Sequence, residues 1–298
     1  MKSLMNESDL RQHEYLIRHP SDSRGVLVSV LGARDFARSV VYSHGFPASR
    51  YEAALAHGVA CELGLTLIAL DRPGFGGSDW YEGRSAADWA DDVRLVVDHF
   101  GVAEFAILGV SGGTPTAVAA ASILRERVRH LAIVSGLGPV TEPGALDGMN
   151  RANALFIAAA IRCGWLGRGA VGAVASLWRT FPITANLWFG ALLPAVDLEI
   201  VQRRDVGLLL ARNIKEALRQ GVRGVVSDFS ILVSDWMPLV VELRAPTTIW
   251  HGDADTYVPI SMANILHQKI PHSVFRKVEG GGHFMIVDRL EAILQCVA

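Results

Sequence analysis

The 298-residue chain has three cysteines, Cys61, Cys163 and Cys296, far apart and without the close spacing of a zinc site or a disulfide framework. Buried or free thiols in a reducing compartment are expected, and no metal or organic cofactor. No run of five basic residues occurs. Lys and Arg number 28 against 30 Asp and Glu, a net charge of -2, which excludes the electrostatic footprint of a nucleic-acid binder. Met1 to Arg11 carries both charge signs and lacks the apolar core of a signal peptide, so a cytoplasmic location is expected. Long apolar runs are also missing. Ala152–Ile161 and Gly169–Leu177 are the strongest, but Arg162 and Arg168 interrupt them, and neither reaches the ~18 apolar residues of a membrane span. They read as buried or lid helices. No internal repeat and no low-complexity linker occurs.

What is present suits a large buried core, with 50% of residues hydrophobic and 19% charged. Residues 1–22 are expected to be irregular. Short apolar runs at Gly25–Gly32, Ser39–Ser43, Leu65–Leu70, Phe105–Leu108, Leu131–Ser135 and Thr247–Trp250 predict strands, and Ser273–Val278 reads as a further one. Helical patterns lie between them at Tyr51–Leu63, Ser85–Phe100, Met262–Ile270 and Phe284–Val297. Ser85 and Asp88 have the spacing of a capping box, with Trp89, Val93, Val96, Val97 and Phe100 on one helical face. Alternating strand and helix predicts an α/β fold with a mostly parallel sheet flanked by helices. From about Pro139 to Trp236 the strand signals vanish. Gly, Ala, Trp and Leu dominate segments of helical length, and Val206, Leu209, Leu210, Ile214, Ala217 and Leu218 share a face. This predicts a helical insertion at 139–236, between core segments 23–138 and 237–298.

The chemistry concentrates at the ends of the apolar runs. Ile107 to Val110 leads into Gly109-Val110-Ser111-Gly112-Gly113 and then the small-residue segment Ala117–Ala121. Strand, sharp turn and helix are the context that lifts a serine hydroxyl above a sheet edge, with the Gly112 N–H at a helix N-terminus. A serine hydroxyl needs a base, and the base an orienting carboxylate. His251-Gly252-Asp253-Ala254-Asp255 and Gly280-Gly281-Gly282-His283-Phe284 supply both, beyond the carboxyl ends of two later strands. Ser135–Gly138, after the preceding strand, carries no carboxylate, and Glu142 lies several residues further on.

Together with His44-Gly45-Phe46-Pro47 and Asp71-Arg72-Pro73-Gly74-Phe75-Gly76-Gly77-Ser78-Asp79, these pieces resemble the α/β-hydrolase fold superfamily, in its cap-bearing serine hydrolase branch. They span residues 44 to 284 in order. The resemblance implies Ser111 as nucleophile, His283 as base and Asp255 as its partner. It also implies an oxyanion hole from the backbone N–H of Phe46 and Gly112, and a cap at the helical insertion. The family pattern His-Gly-x-x-Asp followed by Val-Pro selects Asp255 over Asp253, with Val258-Pro259 at the matching distance. Asp253 then reads as a turn residue satisfying nearby backbone N–H groups. His44 is expected to brace the oxyanion turn, Asp71 and Arg72 to hold the Gly-rich loop, and His251 to be structural. Trp165, Trp178, Trp188 and Trp236 are expected to pack the cap, one or two of them lining a pocket.

The implied activity is hydrolysis of a small, largely apolar carboxylic ester, thioester or lactone through an acyl-enzyme, with a small molecule as the partner. Related dehalogenases and epoxide hydrolases place Asp where Ser111 stands, and epoxide hydrolases add cap tyrosines, whereas residues 139–236 contain none. Prolyl iminopeptidases resemble a Gly-Gly-Ser-Trp-Gly pattern that Val110 and Gly112 do not match. A C–C bond hydrolase of ring-cleavage products, with the same triad, and a small-molecule receptor without turnover remain alternatives.

Overall fold

A computed structural model describes residues 10–182, 190 and 193–298. The first strand, β1 (Glu14–Arg18), falls in the stretch expected to be irregular. It pairs antiparallel with β2 (Gly25–Gly32), Leu16 opposite Leu27. Only Ile17 of the five residues is buried, so this charged edge strand carries too little apolar signal to be read from sequence. Next come β3 (Ser39–Ser43) and α1 (His57–Leu63). The helix expected over Tyr51–Leu63 is a 3₁₀ segment, Arg50–Ala56, before α1 begins. Buried Arg50 anchors that segment to Asp71 and Glu216.

The strand β4 (Thr66–Leu70) leads through the Gly-rich loop to α2 (Trp89–His99), which starts four residues later than expected. The Asp88 carboxylate accepts both the amide and the hydroxyl of Ser85, so the expected capping box closes a turn ahead of the helix. The strand β5 (Phe105–Val110), α3 (Thr114–Ile123) and β6 (Val128–Val134) follow. Between β6 and the next strand, the described residues contain helices only: α4 (Arg151–Arg162), α5 (Gly164–Thr180), α6 (Ala195–Val201), α7 (Arg204–Ala217), α8 (Arg223–Leu232) and α9 (Met237–Val241). The chain closes with β7 (Thr247–Gly252), α10 (Ile260–Lys269), β8 (Val274–Val278) and α11 (Ile286–Gln295).

The sheet order is β1-β2-β4-β3-β5-β6-β7-β8, with β2 antiparallel to both neighbours and the rest parallel. Side chains alternate across it with period two. Val41, Ile68, Ile107, Ile133 and Ile249 face α2, α3 and α10, while Val40, Leu67, Leu108 and Val134 face α11. Burial on both sides explains why these strands read as unbroken apolar runs. Trp236, expected in the insertion, packs into the first of these clusters with Val240 and Leu243. Among the described residues no helix is long and apolar enough to cross a membrane. The parallel strands β3, β5, β6 and β7 all end on one edge, and the inserted helices lie over that edge.

Candidate active site

Ser111 follows β5 directly and holds a left-handed backbone, φ 49°, at the first residue of a 3₁₀ turn that feeds α3. A non-glycine residue in that region stores about 1–3 kcal/mol of strain. The turn needs its neighbouring glycines. A Cβ on Gly113 would stand 2.4 Å from the carbonyl oxygen of Ser43, and one on Gly109 would stand 2.6 Å from Cβ of Ala117. Strand and helix therefore close in on either side of the serine and leave its hydroxyl at the sheet edge.

There it meets a histidine. The Ser111 hydroxyl lies 3.0 Å from Nε2 of His283, and Nδ1 of His283 lies 2.8 Å from Oδ2 of Asp255. In the tautomer this requires, Nδ1–H donates to Asp255 and Nε2 accepts the serine proton. The other carboxylate oxygen of Asp255 accepts the N–H groups of Tyr257 and Val258, each at 2.9 Å. His251 is buried, and its Nε2–H donates to the carbonyl of Val258 at 2.8 Å, tightening the same turn. Burial depresses its pKa, so it stays neutral. Asp253 accepts the Gly280 N–H at 2.7 Å, away from His283. For His283 itself, burial disfavours the imidazolium. The charge and hydrogen bond of Asp255, with the charges of Asp197 and Glu52, outweigh burial and raise the pKa above the ordinary 6.5.

Phe46 and Gly112 come from separate loops and stand side by side. A Cβ on Gly112 would lie 2.5 Å from Cβ of Phe46 and 3.4 Å from its backbone nitrogen. The loop carrying Phe46 is held from below. Arg72 donates to the carbonyls of His44 and Gly45, and its amide donates to Nε2 of His44 at 3.3 Å. Burial and the Arg72 charge push His44 down to about 3, so it braces as a neutral ring. Asp71 accepts the N–H groups of Arg50 and Gly77, pinning the Gly-rich loop.

Three acidic residues that no motif marks also belong to this site. Glu52 accepts the Gly45 N–H at 2.8 Å, and burial lifts its carboxyl to about 7, against the pull of that N–H, Arg72 and Tyr42. Asp197, buried on α6, accepts the N–H groups of His283 at 3.0 Å and Phe284 at 2.8 Å. It fills the space over Gly282, where a Cβ would come within 2.3 Å of its carboxylate. Asp228, buried on α8, pairs with Arg72 at 2.6 Å and with Arg84. Burial alone would raise its pKa, yet the two guanidiniums hold it below the ordinary carboxylate range. Each sits in a helical segment far along the chain from most of the groups it binds, joined to them by the fold.

A cavity of ≈ 590 Å³ opens over Ser111 and His283. Phe46 and Val110 line it from the sheet edge, and Trp178, Leu198, Leu210 and Ile214 from the inserted helices. Of the four tryptophans expected in the insertion, Trp178 lines this cavity, Trp165 is exposed and Trp236 is in the sheet core. Trp188 lies outside the described residues.

Residues 38–156 match the family model described as alpha/beta hydrolase fold. The chain has the α/β-hydrolase fold. Solved structures with this fold run along nearly all of it. A bromoperoxidase from Bacillus anthracis superposes with a TM-score of 0.71 at 18% identity, covering 95% of this chain and 99% of its own. An esterase from Exiguobacterium antarcticum gives 0.68 at 20% identity, covering 95% and 98%. An enol-lactonase from Burkholderia xenovorans LB400 gives 0.65 at 18% identity, covering 93% and 96%. No curated protein sequence matches. At these identities the likeness is one of fold, and a bromoperoxidase, an esterase and an enol-lactonase span more than one chemistry, so the activity of this α/β-hydrolase-fold chain has to be argued from its own site.

Proposed function

We propose that the protein is a serine hydrolase of small, largely apolar carboxylic esters, thioesters or lactones, with residues 139–236 acting as a cap over the site. The observation that carries this reading is the unbroken hydrogen-bond chain Ser111–His283–Asp255 opening into a mostly apolar cavity. Oγ of Ser111 attacks the substrate carbonyl carbon as Nε2 of His283 takes the hydroxyl proton. The resulting oxyanion accepts hydrogen bonds from the Phe46 and Gly112 N–H groups. The imidazolium returns its proton to the leaving alcohol, thiol or ring oxygen as the carbonyl–heteroatom bond breaks. Water then repeats the sequence on the acyl-serine, losing a proton to His283 and releasing the acid. Asp255 holds the tautomer throughout. No step needs a metal or an organic cofactor.

The test is covalent and kinetic. A fluorophosphonate should label Ser111 alone in the wild-type chain and nothing in Ser111→Ala. The same variant should lose on the order of 10³-fold or more in kcat on short aryl esters. Undiminished labelling or near-normal turnover in Ser111→Ala overturns the assignment. A single stoichiometric burst in the wild type, with no steady state, overturns the enzymatic reading in favour of a receptor.

A further inference from the structure

The hairpin of α4 and α5 is apolar on both sides. Its inner face packs Ala160, Val171 and Ala175 against Val225 and Phe229. Its outer face should carry polar residues, as a helix on a protein surface does. Instead Leu155, Trp165, Phe181 and Val174 are 73, 69, 57 and 55% exposed, with Leu166 and Leu177 beside them. Leu166, Ala170, Val174, Leu177 and Phe181 recur at helical spacing along one exposed side of α5, and Arg168 and Arg179 stand on its other side, across the buried residues Val171 and Ala175. Scattered exposed apolar residues need no explanation, but this many large ones gathered on one helical hairpin mark a docking surface.

Charge says what docks. From Gly148 to Val196 the sequence has no Asp or Glu and four arginines, Arg151, Arg162, Arg168 and Arg179, in a chain whose net charge is -2. A two-fold contact between copies would set this face against itself and bring arginines together with no carboxylate of the same segment to pair them. A negatively charged lipid surface satisfies both features. Arginines bind headgroup phosphates while Trp, Leu and Phe enter the acyl boundary, the arrangement of helices that lie in an interface. We propose that the outer face of α4–α5 docks the protein reversibly on an anionic lipid surface. Docking itself does not depend on hydrolysis.

The experiment is vesicle co-sedimentation of the full chain, with a soluble aryl ester assay and a melting curve on the same samples. Equimolar phosphatidylcholine and phosphatidylglycerol should pellet the wild type, pure phosphatidylcholine should pellet far less, and high salt should release it. Leu155→Ser/Trp165→Ser/Leu166→Ser and, separately, Arg162→Gln/Arg168→Gln/Arg179→Gln should each weaken binding about tenfold or more at unchanged melting temperature and soluble-ester turnover. Absence of wild-type binding, or variants that bind as the wild type does, overturns the proposal. So does a wild-type dimer in sedimentation velocity that the serine variant converts to monomer, because the face then belongs to a second copy.

Discussion

The inserted helices meet the rest of the molecule by two different kinds of contact. The half made of α6, α7 and α8 reaches down with buried polar groups. Asp197 accepts two N–H groups of the His283 turn, Asn213 accepts the amide and hydroxyl of Ser49, Glu216 pairs with Arg50, and Asp228 pairs with Arg72 and Arg84. The half made of α4 and α5 holds on through apolar side chains, packed with Phe229, Val225 and Phe75. Apolar contact is non-directional and tolerates small shifts. Buried hydrogen-bonded charges have one satisfied arrangement, and leaving them unpaired is expensive. The first half is therefore fixed in register with the loops that carry His44, Phe46 and His283. The second half is free to present a surface.

The sharpest way to break that contrast is Asp228→Ala. It leaves Arg72 and Arg84 buried without their carboxylate, and removal of one partner from such a group costs about 3–5 kcal/mol. Urea unfolding should show that loss as a lower midpoint at similar slope. A change below about 1 kcal/mol would mean that the two arginines find other partners, and that α8 is not locked.

A smaller effect is expected at Asp197, and it sharpens the contrast because it reads the site rather than the fold. Asp197→Asn removes a negative charge that helps hold the His283 pKa above its ordinary value. In the proposed mechanism His283 must be neutral to accept the serine proton, so activity falls as pH drops through that pKa. Without the Asp197 charge the pKa falls, and the acid limb of kcat/KM moves to lower pH. The plateau rate should drop by about tenfold as the His283 turn loses its charged acceptor. A lower plateau with an unmoved acid limb would assign Asp197 a packing role alone.

The smallest effect belongs to the outer face of α4–α5. Leu155→Ser should change stability by no more than about 0.5 kcal/mol by calorimetry, since the side chain is 73% exposed. A loss of several times that amount in vesicle-free solution would show the residue covered, and the two halves of the insertion alike.

The sequence made legible those parts whose signal is local. The central strands β3, β4, β5 and β7 are buried on both faces and appear as apolar runs, and the turn at Ser111 carries its glycines within two residues. His283 and Asp255 stand at strand ends in glycine-rich company, and the structure brings both to Ser111. Where the signal is spread along the chain, sequence reading loses it. The edge strand β1 has one buried residue, so its pairing with β2 leaves no periodic trace. Trp236 reads as one of several tryptophans in an apolar stretch, and only the packing assigns it to the sheet. Glu52, Asp197 and Asp228 each act at a point set by tertiary contact, Asp228 on an arginine 156 residues away. A buried acid on a helix has no neighbouring residue type that announces it.

The fit of Asp197 over Gly282 has a hereditary side. Any side chain at 282 collides with the carboxylate, while loss of the carboxylate strips the His283 and Phe284 amides of their acceptor. Neither position can drift alone without harm to the other, although one lies in the insertion and the other in the sheet domain. The two are therefore expected to be inherited as a pair. Recombination that exchanges the inserted helices between relatives will succeed only when the donor brings an acid at 197 to a recipient with glycine at 282.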